Sequence, residues 1–265
     1  MVSGATTKDG LTITYDDRGV VEPAFVCLPG WCSDRFQFSP LVDHLSGRRR
    51  TIVLDWRGHG ESDSPDADYG YDEMSEDVLA VIDAAAVEQI VPVAASHAGW
   101  TALDLHRRLG DRVVGFVSIG WMVMGAPPPF IAGLRRMQEP EGWAEVRDQL
   151  FQMWRGGANN PGVEEQIAHM NSYGADTWMR AGREIEGAYQ HHGAPVEVLA
   201  SFDPSMPTMH VYAQPADPAV LQAQQSFASD HPWFSVHRVD ALSHFPQFEA
   251  PDEIARLIED FASKL

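Results

Sequence analysis

Short apolar runs alternate with amphipathic stretches along most of this chain. Runs at 24–28, 51–55, 90–95, 113–119, 208–213 and 234–239 are predominantly apolar, rich in Val, Ile, Leu, Phe and Ala, and too short for buried helices. Between them, 34–45, 72–86, 97–109, 218–229 and 252–265 carry apolar residues at helical spacing. Strands apolar on both faces and separated by helices predict a mostly parallel, twisted sheet flanked by helices, an α/β architecture. Ahead of them, Asp9-Gly10 predicts a hairpin turn into the alternating strand Leu11-Thr12-Ile13-Thr14-Tyr15. From 125 to 205 the rhythm stops: there is no buried strand, only amphipathic stretches punctuated by Pro127-Pro128-Pro129, Gly156-Gly157 and Asn159-Asn160-Pro161-Gly162. The pattern therefore predicts a core in two parts, 1–124 and 206–265, with a helical insertion at 125–205. That insertion holds Trp143, Trp154 and Trp178 with Met137, Met153, Met170 and Met179. Most of these side chains are expected to pack it onto the core, and a few to line a pocket beneath it.

Charge narrows the partners. Nineteen Lys and Arg against 38 Asp and Glu leave a formal charge of −19, a surface that repels nucleic acid and anionic membranes and serves solubility. Two cysteines, Cys27 and Cys32, form no disulfide framework. The first residues lack an apolar signal core, and no run approaches the length of a membrane span, so a cytoplasmic location is expected.

Candidate chemistry begins at Ser96. In Val93-Ala94-Ala95-Ser96-His97-Ala98, an apolar strand turns into helix-forming sequence, with small residues two places either side of the serine. This resembles the nucleophile elbow of the α/β-hydrolase fold, loosened from Gly-x-Ser-x-Gly. The other parts follow in the order that fold requires. Leu28-Pro29-Gly30-Trp31 leaves an early strand, and His244 in Leu242-Ser243-His244-Phe245-Pro246 follows the last one. The amides of Trp31 and His97 are expected to converge as an oxyanion hole, and His244 to act as base. For its acid partner, Asp217 in Gln214-Pro215-Ala216-Asp217-Pro218 is favoured, although the same residue suits the N-cap of a helix starting at Pro218. Asp240 and Asp203 are the weaker candidates. Trp56-Arg57-Gly58-His59-Gly60 recurs in this fold after its fourth strand, and His59 there is read as structural. The insertion falls where the fold places its lid.

A closer resemblance rests on Leu28-Pro29-Gly30-Trp31-Cys32, Trp56-Arg57-Gly58-His59-Gly60, Ser96-His97 with Gly99-Trp100, and Ser243-His244-Phe245-Pro246. It extends to Trp154, Tyr173-Gly174 with Trp178, Gly182-Arg183 and His231-Pro232-Trp233-Phe234-Ser235, nearly the whole chain. Together these segments resemble the cofactor-free 2,4-dioxygenases that cleave 3-hydroxy-4(1H)-quinolones. The resemblance implies a small aromatic N-heterocyclic substrate and O2, with no metal or flavin. It implies that His244 deprotonates the 3-hydroxyl, that Ser96 hydrogen-bonds substrate without forming an acyl intermediate, and that the Trp31 and His97 amides hold the C4 oxygen.

Two departures matter. Quinaldine-cleaving members carry aspartate where this chain has Gly120, so the acid is expected from elsewhere, with Asp217 first. They also carry histidines where this chain has Ser33 and Ala95, which implies room for a longer 2-alkyl chain, covered by Trp154 and Met153. Two other readings stand: a serine hydrolase of ester or carbon–carbon bonds using Ser96, His244 and Asp217, and a hydrolase-fold receptor for a small apolar ligand.

Overall fold

The computed structural model describes residues 2–265. Its strands are β1 (Val2–Thr6), β2 (Thr12–Arg18), β3 (Ala24–Leu28), β4 (Thr51–Leu54), β5 (Ile90–Ala95), β6 (Phe116–Ile119), β7 (Thr208–Tyr212) and β8 (Phe234–Arg238). They form one sheet in the order β1-β2-β4-β3-β5-β6-β7-β8. β1–β2 and β2–β4 pair antiparallel, and every later pairing is parallel. The hairpin turns where Asp9-Gly10 requires it: Gly10 has φ +88°, and the Thr7 N–H donates to the Leu11 carbonyl across 2.9 Å.

Three helices precede the insertion: α1 (Ser39–Ser46), α2 (Tyr71–Ala84) and α3 (Gly99–Leu109). Between β6 and β7 the chain is helical, with α4 (Pro128–Met137), α5 (Trp143–Arg155), α6 (Pro161–Asn171), α7 (Ala175–His192) and α8 (Pro195–Ala200). The chain closes with α9 (Pro218–Asp230), α10 (Pro246–Glu249) and α11 (Pro251–Ala262). No helix of the described residues is long and apolar enough to cross a membrane.

The central strands bury both faces, as their unbroken apolar runs demand. Ala24, Val26 and Leu28 of β3 point into one core; Phe25 and Cys27 point into the other, against Leu41, Leu45, Ile254 and Ile258 of α1 and α11. The first core runs on into the insertion through Leu134, Phe151, Val163 and Trp178. Two elements are shorter than their apolar patterns. The run at 113–119 pairs as a strand only from Phe116, with Val113 left as an isolated bridge to Ile90. The helix expected from 34 begins as a 3-10 turn, Arg35–Phe38, and turns α-helical at Ser39, where Pro40 suits a first turn because it has no N–H to lose.

Candidate active site

At the end of β5 the backbone of Ser96 swings to φ +52°, the left-handed region that side-chain-bearing residues rarely occupy. Ala94 and Ala98 beside it are fully buried and bring only methyl groups to the tight turn. Facing it is the loop after β3, set by buried polar bonds. The Gly30 N–H donates to Gln37 Oε1 (2.7 Å), and the Trp56 indole N–H donates to the Pro29 carbonyl (2.7 Å). The Trp-Arg-Gly-His-Gly segment thus braces this loop through Trp56, while Arg57 chelates the buried Asp77 carboxylate with its Nε and Nη2 (2.9 and 2.6 Å). His59 is buried, with Nδ1 3.0 Å from the Arg57 carbonyl.

One cavity gathers these parts. From the core it is lined by Trp31, Ser33, Ser96, His97 and His244, and from the insertion by Phe130, Leu134, Met137, Trp154 and Trp178, among others. Its polar groups therefore sit on the core and its apolar wall on the insertion. Trp31 and His97, expected to supply oxyanion amides, line it together with Ser96.

Two imidazoles lie at the polar end. Burial pushes the His244 ring down to about 4. Burial first, and then the nearby His244, push His97 down to about 3. Both rings are therefore neutral at pH 7. His97 stacks on Phe130 and meets Tyr189 edge-on, and its Nδ1 is buried without a hydrogen-bond partner. His244 stacks on Trp154, with ring centroids 5.3 Å apart and planes 16° apart. Its backbone N–H donates to the Trp154 carbonyl (2.8 Å). Among the described residues no hydrogen bond joins His244 to Ser96, and no carboxylate contributes to the His244 shift.

The acid is where sequence and structure part. Asp217 is exposed and caps α9, its carboxylate accepting from the Ala219 N–H (2.9 Å), so it does not serve as partner to His244 in this structure. Helix termini leave such N–H groups unpaired, and with Pro218 next in sequence the carboxylate satisfies the first one available. Asp203 and Asp240 are exposed as well. Gly120 does lie beside the base: a Cβ built there would stand 3.4 Å from His244 Cε1 and 3.7 Å from Nδ1.

Two pocket expectations also change. Ala95 faces away from the cavity into the second core, because successive residues of a strand point to opposite faces and Ala94 takes the near one. Met153 is 54% exposed, since on α5 the cavity is met by Leu150 and Trp154, one turn apart. Ser33, Trp154 and Trp178 line the cavity. Ser33 Oγ is engaged, accepting from Gln166 Nε2 of α6 (2.7 Å) in a bond buried between core and insertion.

Residues 25–257 match the model of the alpha/beta hydrolase family. The chain belongs to that family. Within it, the chain is 37% identical to a 2-heptyl-3-hydroxy-4-quinolone dioxygenase of Rhodococcus erythropolis, over 91% of this chain and 87% of that one. It is 30% identical to the 1H-3-hydroxy-4-oxoquinoline 2,4-dioxygenase of Pseudomonas putida, over 96% and 97%. It also superposes with TM-score 0.95, at 34% identity and full coverage of both chains, on the solved structure of an AqdC variant in complex with its substrate, described for ring cleavage of the Pseudomonas quinolone signal. The chain groups with these quinolone dioxygenases.

The site thus has the elbow of the alpha/beta hydrolase family but, among the described residues, no carboxylate on the His244 ring. The sequence pointed to the His97 amide alone; the structure also leaves its imidazole Nδ1 buried and unpaired in the wall of the cavity, and its place directly after the elbow serine was the available signal. Gln166 was missed because nothing in a helical sequence distinguishes a buried glutamine from a solvated one. Among the described residues no three His, Cys, Asp or Glu side chains converge to hold a metal ion. Cys27 and Cys32 are free and buried, and burial raises both thiols, so neither is a ready nucleophile.

Proposed function

We propose that this protein is a dioxygenase that opens the heterocyclic ring of 2-alkyl-3-hydroxy-4(1H)-quinolones with O2, releasing CO and leaving an N-acylanthranilate. The observation that carries this reading is the pair of imidazoles, His97 and His244, at the polar end of a cavity whose opposite wall is apolar. A neutral histidine accepts a proton through one ring nitrogen and donates through the other. His244 takes the proton of the 3-hydroxyl, giving an electron-rich quinolone anion that reacts with O2 at C2. The resulting peroxide attacks C4, and C3 leaves with its oxygen as CO. Both atoms of O2 stay in the product, one on the acyl carbon and one on the new carboxylate. The His97 ring and the Trp31 and His97 amides hold the C4 oxygen as charge builds on it. Ser96 orients substrate.

The 2-alkyl chain lies along Leu134, Met137, Met170 and Ile185 of the insertion, which acts as a cap. This apolar cap wall, rather than the small side chain of Ala95, which faces the second core, favours a heptyl over a methyl substituent. A cytoplasmic location suits the free thiols of Cys27 and Cys32.

The serine-hydrolase alternative needs Ser96 activated by a base. No hydrogen bond among the described residues connects Ser96 with His244. The test is to incubate the purified protein with 2-heptyl-3-hydroxy-4(1H)-quinolone, with and without O2, and assay CO. Oxygen-dependent CO release at one equivalent per substrate is expected. Substrate loss without oxygen, or none with it, rules the proposal out.

A further inference from the structure

With no carboxylate on the ring, something else must hold His244 in place, and its loop shows what does. Leu242 and Ser243 donate their N–H groups to the Glu249 carboxylate (3.2 and 2.7 Å), which fixes one side of the loop. On the other side the loop rests on the C-terminal end of α5. The His244 N–H reaches the Trp154 carbonyl, and the Trp154 ring covers the imidazole. Gln214 spans the remaining gap. Its Nε2 donates to the Leu242 carbonyl (2.5 Å) and to the Met153 carbonyl (3.1 Å), so one amide group ties the base loop to the insertion. A primary amide has two N–H bonds, one for each carbonyl. The fit is close: at Gly156, where φ is +57°, a Cβ would stand 2.0 Å from the Leu242 carbonyl oxygen and 2.2 Å from Gln214 Nε2.

We infer that Gln214 is a positioning residue for the base, acting through the Leu242 and Met153 carbonyls in place of a carboxylate acting on the ring. Gln214 occupies the loop after β7, between the elbow serine and the histidine in chain order, where the acid of a hydrolase of this fold also falls. There it orients the backbone that carries the histidine, and it makes the end of α5 part of the seat. The base is therefore fully assembled only while the insertion is docked on the core. This inference rests on the dioxygenase reading.

The test uses the whole protein and 2-heptyl-3-hydroxy-4(1H)-quinolone. Without O2, the absorbance of bound quinolone reports its ionisation, and a titration reports its affinity. With O2, kcat and its pH profile are measured, and Tm is followed throughout. Gln214→Ala, which removes the bridge, should lower the bound anion fraction and cut kcat about tenfold at pH 7, with affinity within about threefold. Raising the pH should recover kcat, because solution then supplies the anion. Gln214→Glu, nearly equal in volume, sets a carboxylate against both carbonyls and should show the larger defect. A variant with the parental anion fraction and kcat overturns the inference. So does a kcat loss that follows Tm and is not recovered at high pH. If the parent protein neither ionises nor cleaves the quinolone, the dioxygenase reading itself fails, and this inference with it.

Discussion

The two halves of the cavity are built by different means. On the core side, the backbone bordering the cavity leaves regular structure at Ser96, φ +52°, and at Cys32, φ +56°, beside Trp31. On the insertion side, the wall is ordinary helix, and helical phase selects what faces inward. Phe130, Leu134 and Met137 repeat at four and three residues along α4, and Trp178, Ala181 and Ile185 at three and four along α7. A strained turn places one atom and tolerates little change. A helical face presents a surface whose members can be exchanged at moderate cost. Chemistry should therefore concentrate in the core half and chain-length preference in the other.

The largest expected effect lies in the core half. His244→Ala should reduce kcat/KM for the heptyl quinolone by about 10²–10⁴-fold at pH 7, the range for a positioned general base. Activity should return in part as the pH approaches the substrate's own ionisation. Steady-state rates across pH measure this, and unchanged activity at pH 7 would remove His244 as the base.

Next is the cap half. Leu134→Trp should fill the tail end of the cavity and lower kcat/KM for the heptyl compound by about 10–100-fold, the worth of a few buried methylenes. Cleavage of the methyl compound should stay within about threefold, apart from an overpacking cost in Tm. Equal losses on both substrates would show that the α4 face does not divide the labour in this way.

A third effect is on pH dependence. The His244 ring is depressed to about 4 by burial, so the free base stays neutral on descending from pH 7 until well below the usual 6.5. The acid limb of kcat/KM should therefore lie nearer 4 than 6.5, and because His97 is coupled to His244 it belongs to the pair. Gly120→Asp should bring a carboxylate beside Nδ1, stabilise the imidazolium and move that limb upward by about one pH unit. Aspartate is among the residues that accept the φ of +66° found there. A limb that stays in place would mean that the carboxylate does not reach the ring.

The smallest effect distinguishes a cap from a catalytic acid. Asp217→Ala should cost about 1 kcal/mol of stability through the lost N-cap of α9 and leave kcat and its pH profile unchanged. A fall in kcat beyond a few-fold would return Asp217 to the active site.

Much of this was legible in the amino-acid sequence because it depends on local rules. Period and length separate strands from helices, so the sheet, its flanking helices and the insertion follow from the apolar pattern. The elbow and the order of Ser96 and His244 follow from turn chemistry and from where each falls between strands. Other features were decided only in three dimensions. Asp217 had two sensible roles in one stretch of sequence, and only the folded chain, which sets its carboxylate on the Ala219 N–H, chose the cap. Ala95 and Met153 lie next to cavity residues in sequence but face away from the cavity, because a shift of one position turns a side chain across a strand or around a helix. The buried bond from Gln166 to Ser33 and the bridge from Gln214 join residues more than 100 and 25 positions apart, respectively. Composition and periodicity report which residues are buried or turned. Pairings across such separations are set by how the insertion settles on the sheet, which belongs to the packing of the whole chain.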